Sequence, residues 1–68
     1  MKISARNQLP GTVVEISEGQ VNAKVVVDIG GGHTITSIIS VESLKELELT
    51  VGSAVTTVIK SSSVMLMA

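Results

Sequence analysis

A serine and an arginine lie two residues apart near the start of the chain, in the stretch SARNQLPG at residues 4–11. The alternation of an opening strand would place Ser4 and Arg6 on one face, together with Lys2 and Gln8. A guanidinium beside a hydroxyl offers positive charge and directed donors, which suits a small oxyanion. The alternative is a solvent-exposed strand face, because short polar patches are common near chain termini.

A second cation and a run of serines occur near the other end of the sequence. Lys60 closes a segment rich in β-branched residues and is followed by three serines, of which Ser61 is the first. A lysine at a strand end commonly protects a sheet edge, and consecutive serines commonly form a loop. If this segment pairs with the strand that carries the arginine, however, the same residues complete a cage for an oxyanion.

The third candidate element is the start of the predicted helix. The segment SVESLKELEL (residues 40–49) spaces its apolar residues at helical intervals, with Ser40 placed as N-cap and Ser43 three residues later. A helix N-terminus presents free backbone N–H groups and a partial positive charge, which favour an anion. Simple capping is the alternative, and the carboxylate of Glu42 in the first turn counts against an anion there.

The other polar residues do not form a catalytic pattern. The glycines at 30–32 lack the Gly-Lys-Ser/Thr continuation of a phosphate-binding loop, and they predict a hairpin turn. His33 is the one histidine and the chain has no cysteine, so neither a histidine cage nor a thiolate site for a metal is expected. The serines have no base beside them and no nucleophile-elbow motif. We therefore predict that the protein is not an enzyme and binds no metal cation directly.

Strands dominate the elements that must position these residues. Five segments predict strands from alternation or β-branched content: 12–18, 21–29, 33–39, 54–60 and 64–67. Turns are expected at 18–20 and 30–32. Three strands, one short helix and two strands follow one another in the order of an OB-fold. We predict one domain over residues 1–68, all-β, an OB-like five-stranded Greek-key barrel with one short helix between strands 3 and 4.

Composition indicates an oligomer and argues against nucleic acid. In 68 residues 44% are hydrophobic, and neighbours such as Ile38 with Ile39 make strands apolar on both faces. A domain of this size buries only about 60% of its unfolded surface, so we expect the second face to meet another subunit. The formal charge of −1 and the absence of aromatic residues give no means of gripping or stacking on nucleic acid.

The sequence also bears on location. No apolar stretch follows MKIS in the manner of a signal peptide, and VMLMA is too short to span a bilayer. We therefore predict a cytoplasmic protein with neither a membrane nor a nucleic-acid partner.

Three stretches together resemble the Mop domain: SARNQLPGTV at 4–13, ISVES before the helix and IKSS near the end. The resemblance covers essentially all 68 residues and is most specific in the first stretch. It implies an OB-like fold, a homohexamer built as a trimer of dimers, and molybdate or tungstate bound as an oxyanion between subunits. No organic cofactor is implied.

The same resemblance implies which residues bind the oxyanion, four from one subunit and two from its partner: Ser4, Arg6, Lys60 and Ser61, and Ser40 and Ser43. In a related transcription regulator the position of Ser61 holds alanine, which implies that the backbone N–H of Ser61 makes the contact. One arginine and one lysine match the charge of a dianion. A site in which every contact is a donor and acceptors are few penalises monohydrogen phosphate, which carries its own O–H.

The function expected from these residues is binding of molybdate, and of tungstate, at intersubunit sites for intracellular molybdenum storage and homeostasis. The alternative is an OB-type oligomeric protein-interaction module that binds anions incidentally.

Overall fold

The computed structural model describes residues 2–68 and contains one antiparallel sheet with a short helix. Its elements in chain order are β1 (Asn7–Glu18), β2 (Asn22–Gly30), β3 (His33–Ser40), α1 (Val41–Glu46), β4 (Ala54–Ile59) and a 3-10 turn (Ser61–Ser63). The strands lie in the order β3-β2-β1-β4. Three strands joined by hairpins with a fourth beside the first form a Greek key, so the predicted Greek-key topology is confirmed.

The core lies on one face of the sheet and is closed by the helix. Along β2 the side chains of Ala23, Val25 and Val27 are buried, while the alternate residues Lys24 and Asp28 are exposed, as the period of two predicts. Val13 of β1 and Leu44 of α1 complete the buried cluster. All five core side chains are aliphatic, and the core contains no aromatic residue.

Strand β1 belongs to both halves of the sheet. Its first part pairs with β4 from Asn7 to Thr12, and its second part pairs with β2 from Thr12 to Glu18. Val14 is skipped in the β2 ladder, and such a bulge bends a strand and increases its twist. Pro10 lies opposite Thr56 of β4, but the N–H of Val13 points toward that side, so by alternation the nitrogen of Pro10 points to the other. There β2 begins to pair only at Thr12, and no ladder bond requires the missing N–H.

The sequence predicted an opening strand and a separate strand at 12–18, whereas one strand runs from Asn7 to Glu18. Ser4 and Arg6 precede it at bends of the backbone, so their predicted placement on one strand face is wrong.

The predicted number of strands is wrong for the described chain, which has four strands rather than five. Residues 64–67 form no strand, and Met65, Leu66 and Met67 are more than 90% exposed. A β-branched or apolar sequence forms a strand only where a neighbouring strand accepts and donates its backbone hydrogen bonds, and this tail pairs with none in residues 2–68. The all-β class and the helix between the third and fourth strands are confirmed.

Helix α1 is shorter than the ten-residue segment predicted for it, because a Schellman motif ends it after Glu46. The N–H of Leu49 donates to the carbonyl of Leu44 at 3.2 Å, and the N–H of Glu48 donates to the carbonyl of Lys45 at 3.0 Å. Glu48 takes the left-handed conformation, with φ of 54°, at the position where glycine is usual. With α1 six residues long, residues 2–68 contain no helix that is long and apolar enough to cross a membrane.

Candidate oxyanion site

Pairing of β1 with β4 brings the two predicted cations together. Asn7 is opposite Ile59, and Gln8 is opposite Val58. Arg6 directly precedes Asn7 and Lys60 directly follows Ile59, so the two cations adjoin the last pair of the ladder, with the backbone bent at Arg6. Both residues are exposed, so their charged groups are available at one end of the sheet.

Two of the predicted serines flank this pair of cations. Ser4 lies at a bend that precedes β1, and Ser61 opens the 3-10 turn that follows Lys60. The carbonyl of Lys60 accepts the N–H of Ser63 at 2.9 Å, which closes the turn. The first N–H groups of such a turn have no partner inside it. The backbone N–H of Ser61 therefore meets the local condition for the contact that the sequence predicted.

Of the remaining two serines, Ser40 caps helix α1, as predicted, and Ser43 lies in its first turn. The Oγ of Ser40 accepts a hydrogen bond from the backbone N–H of Ser43 at 3.0 Å and donates to the Oγ of Ser43 at 2.9 Å. Both residues are half-buried. A hydroxyl has one proton. Ser40 uses it in the hydrogen bond to Ser43, so the hydroxyl of Ser43 can donate to a further acceptor. Capping is thus present, and it leaves one hydroxyl donor free in the pair.

The six predicted residues fall into two groups. Ser40 pairs with Asn22, beyond the end of β1 at Glu18, whereas Arg6 precedes the other end of β1 at Asn7. Within residues 2–68, no hydrogen bond or ion pair joins the serines of the helix to the group around the cations. The sheet of one chain therefore assembles Ser4, Arg6, Lys60 and Ser61 at one end of β1, and Ser40 with Ser43 at the other end.

Charge is distributed unevenly over these two ends. Three of the five basic residues, Lys2, Arg6 and Lys60, belong to the end where β1 begins. In the described part of the chain the one ion pair joins Lys24 Nζ to Glu15 Oε2 at 3.2 Å on the outer face of the sheet. No carboxylate in residues 2–68 therefore neutralises the cations, and the end of the sheet favours an anion.

Other candidate chemistry is not assembled by the fold. Residues 2–68 contain no cluster of three or more His, Cys, Asp or Glu side chains that could hold a metal ion. His33 is exposed at the start of β3, after a hairpin in which Gly30, Gly31 and Gly32 all have positive φ. The hairpin is fastened by Asp28, whose Oδ1 accepts the N–H of Gly30 at 2.8 Å. The predicted turn at the glycines is confirmed.

Two features of the structure were not assigned from the sequence. A cavity of about 400 Å³ opens between β4 and the inner faces of β2 and β3, lined by Val25, Val27, Ile39, Leu49 and Val55 among others. The side chain of Gln8 donates from Nε2 to the carbonyl of Ala5 at 2.9 Å. The period of two placed Gln8 on the face of Arg6 without indicating this bond, because a side-chain rotamer leaves no pattern in a sequence.

Comparison with known proteins gives one consistent result. The TOBE domain family matches residues 3–66. Molybdenum-pterin-binding protein 1 of Clostridium pasteurianum is 53% identical over 68 residues, which cover 100% of both chains.

Solved structures agree with the sequence comparison. A molybdate-binding protein from Sporomusa ovata superposes with a TM-score of 0.93 at 38% identity over 100% of both chains. The cytoplasmic molybdate-binding protein ModG, solved with molybdate bound, superposes with a TM-score of 0.86 at 44% identity. That match covers 90% of this chain and 43% of ModG.

Proposed function

Since the chain belongs to the TOBE domain family and matches its single Mop-domain proteins, the molbindins, we propose that it binds molybdate. Tungstate carries the same charge and the same tetrahedral arrangement of oxygens, so the proposal includes it. Relatives with the same fold are molybdate-binding proteins rather than enzymes. We therefore propose a binding protein whose ligand is the intact oxyanion, with no organic cofactor and no nucleic-acid or membrane partner.

The observation that supports the proposal is that Arg6 and Lys60 directly adjoin the last paired residues, Asn7 and Ile59, at one end of the β1–β4 ladder. Two cations without a neighbouring carboxylate oppose the two charges of molybdate. The hydroxyl of Ser4 and the N–H of Ser61 add neutral donors beside them. Charge-assisted hydrogen bonds contribute about 1.5–3 kcal/mol each, so two such side chains with neutral donors supply enough free energy to hold a small anion.

We propose that the site is completed by a second subunit. The partner subunit's Ser40 and the partner subunit's Ser43 would supply the remaining donors, since the sheet of one chain holds these serines apart from the cations. The free proton of Ser43 suits this role. An assembly of six subunits, a trimer of dimers, is the arrangement that we infer from the Mop resemblance.

A site made of donors explains selection among anions. Arg, Lys and a backbone N–H can only donate, and the hydroxyl of Ser43, which accepts from Ser40, still has its own proton to donate. Molybdate and tungstate are unprotonated at neutral pH and accept every such bond. Monohydrogen phosphate brings an O–H that finds few acceptors, and an unpaired donor weakens binding.

The role that we propose is intracellular storage and homeostasis of molybdenum in the cytoplasm. The similarity to ModG, which is described as cytoplasmic, supports this location. A storage role requires the protein to retain the metal through purification. Elemental analysis of protein isolated from molybdate-fed cells should therefore find molybdenum in a fixed ratio to subunits.

Thermal unfolding with different anions tests the binding proposal directly. A ligand at 100 times its Kd stabilises the native state by about 2.7 kcal/mol per independent site. Molybdate and tungstate should raise the unfolding midpoint at concentrations where phosphate does not. If no tetrahedral oxyanion shifts the midpoint, the protein is better described as an oligomeric interaction module whose anion binding is incidental.

A further inference from the structure

The segment that carries Ser4 and Arg6 lies outside the paired part of the sheet. The β1–β4 ladder begins with Asn7 and Ile59, and the backbone bends at Ser4 and again at Arg6. A segment that is free to move must be ordered when a ligand binds. The apparent affinity is then the intrinsic affinity multiplied by the fraction of molecules already in the competent conformation. A contact that restrains this segment in the unliganded protein therefore affects the binding constant.

Gln8 supplies such a hold. Its Nε2 donates to the backbone carbonyl of Ala5 at 2.9 Å, and a carbonyl can only accept, so the amide nitrogen and not the amide oxygen faces it. Gln8 is itself fixed in β1, where it pairs with Val58. The bond spans Arg6 and Asn7, and it connects the unpaired segment to the beginning of the β1–β4 ladder.

We infer that Gln8 is a positioning residue for the proposed oxyanion site. Its side-chain amide restrains the backbone on the N-terminal side of Arg6, so that the guanidinium is held near the end of the β1–β4 ladder. The inference rests on the proposed function, since it assigns Gln8 to that same site. Gln8 acts through the backbone of Ala5, and contact with the anion itself is no part of the proposed role.

The competing explanation is a surface hydrogen bond without consequence for binding. Gln8 is exposed, and exposed polar bonds contribute little to the stability of a whole domain. The two explanations predict different effects of losing the bond. A positioning role changes the affinity and the order of residues 4–7, while a merely structural bond changes neither selectively.

Two variants remove the bond in different ways. Gln8→Met keeps the length of the side chain and removes its donor, whereas Gln8→Asn keeps the amide and shortens its reach by one methylene. Gln20→Met is the matched control, because Gln20 is the chain's other glutamine and lies exposed in the turn between β1 and β2. Sedimentation of each variant verifies that assembly is unchanged.

The measurements are titration calorimetry with molybdate and amide hydrogen exchange of the ligand-free protein. Both Gln8 variants should weaken binding roughly 2- to 10-fold, the range that the loss of one neutral hydrogen bond gives. Exchange at Arg6 and Asn7 should accelerate while exchange at Val25 in the core stays the same, and Gln20→Met should match the parent in both assays.

Two results would overturn the inference: affinity equal to that of the parent in both variants, or unchanged exchange at Arg6 in both. If the parent itself fails to bind molybdate, the proposed function is wrong. The exchange comparison still decides in that case whether Gln8 orders the segment, so the two failures are separate.

Discussion

At the residue scale, the cations are the groups on which the proposed binding depends, and they differ in kind. Arg6 carries a planar fork with several N–H donors, which can orient two oxygens at once, while Lys60 carries a compact charge on a flexible stem. Both adjoin the last paired residues of β1 and β4, at the same end of the ladder. A change at either position should therefore affect the ligand and leave the core, which is built from other residues, intact.

We expect Arg6→Ala and Lys60→Ala each to weaken molybdate binding on the order of 10- to 100-fold, because each removes a charge-assisted hydrogen bond. Arg6→Lys should restore only part of the loss, since it keeps the charge and loses the fork. Lys24→Ala is the control, because Lys24 pairs with Glu15 elsewhere on the sheet. Titration calorimetry gives the affinities, and an Arg6→Ala variant that binds like the parent would place the site elsewhere.

At the element scale, the positions of β1 against β2 and of α1 against its neighbours depend on local backbone geometry. Gly11 lies where β1 passes from one partner strand to the other, and a Cβ there would come within 2.5 Å of the carbonyl oxygen of Asp28. Glu48 ends α1 in a left-handed conformation that disfavours side chains. One position thus requires glycine, and the other tolerates its absence at some cost in free energy.

Gly11→Ala should destabilise the protein, since the obstacle is backbone and the two strands would have to separate. Overpacking of this kind costs typically about 1–3 kcal/mol. Ser17→Ala, at an exposed position of the same strand, should have little effect. Chemical denaturation of both variants measures the difference, and equal midpoints would show that β1 and β2 are farther apart than described.

Glu48→Gly should raise the free energy of unfolding by up to about 1 kcal/mol, because glycine adopts the left-handed conformation without a Cβ clash. Glu46→Gly removes the same carboxylate two residues earlier, inside the helix, where glycine destabilises. The two variants should therefore shift the thermal midpoint in opposite directions. A shift in the same direction for both would indicate an effect of charge rather than of backbone conformation.

At the scale of the whole molecule, one chain exposes more surface than its mass warrants. Its accessible area is 5425 Å² for 7.0 kDa, whereas compact monomers of that mass average roughly 4,000 Å². The excess is larger than the roughly 800 Å² that each partner of a standard protein–protein interface buries. Apolar residues contribute to it, among them Ile3 at 56% exposure and the tail from Met65 to Met67 at 92–98%. These values favour an assembly of subunits, in agreement with the composition.

Sedimentation at micromolar concentration should show oligomers without a folded monomer, and the unfolding midpoint should rise with protein concentration. Leu66→Asp should dissociate or unfold the assembly. It replaces an apolar side chain, 95% exposed in one chain, with a carboxylate that is costly to bury between subunits. Ala68→Asp adds the same charge to the same tail without removing a large apolar group, and it should behave like the parent. A stable, folded monomer of the unaltered chain would contradict both the assembly and the intersubunit site.

The sequence by itself determined the features that depend on neighbouring residues. The alternation at 21–29 predicted strand β2, whose side chains are buried and exposed in turn, the glycines at 30–32 predicted a hairpin, and Ser40 predicted the start of α1. These features follow from local geometry, since side chains alternate along a strand and an N-cap acts within three residues. The candidate site residues were also chosen from the sequence, on their chemistry and on the Mop resemblance, and their role in binding stays a prediction.

Only the tertiary structure decided which distant segments pair. The register of β1 with β4 pairs Asn7 with Ile59 and so brings Arg6 and Lys60 to the same end of the ladder, although 53 residues separate them in the chain. The Val14 bulge, the early end of α1 and the unpaired tail at 64–67 were likewise absent from the local pattern. A strand forms where its backbone groups find partners, and those partners are set by the packing of the whole chain. The same four apolar residues that predict a strand therefore stay unpaired when residues 2–68 offer them no free neighbour.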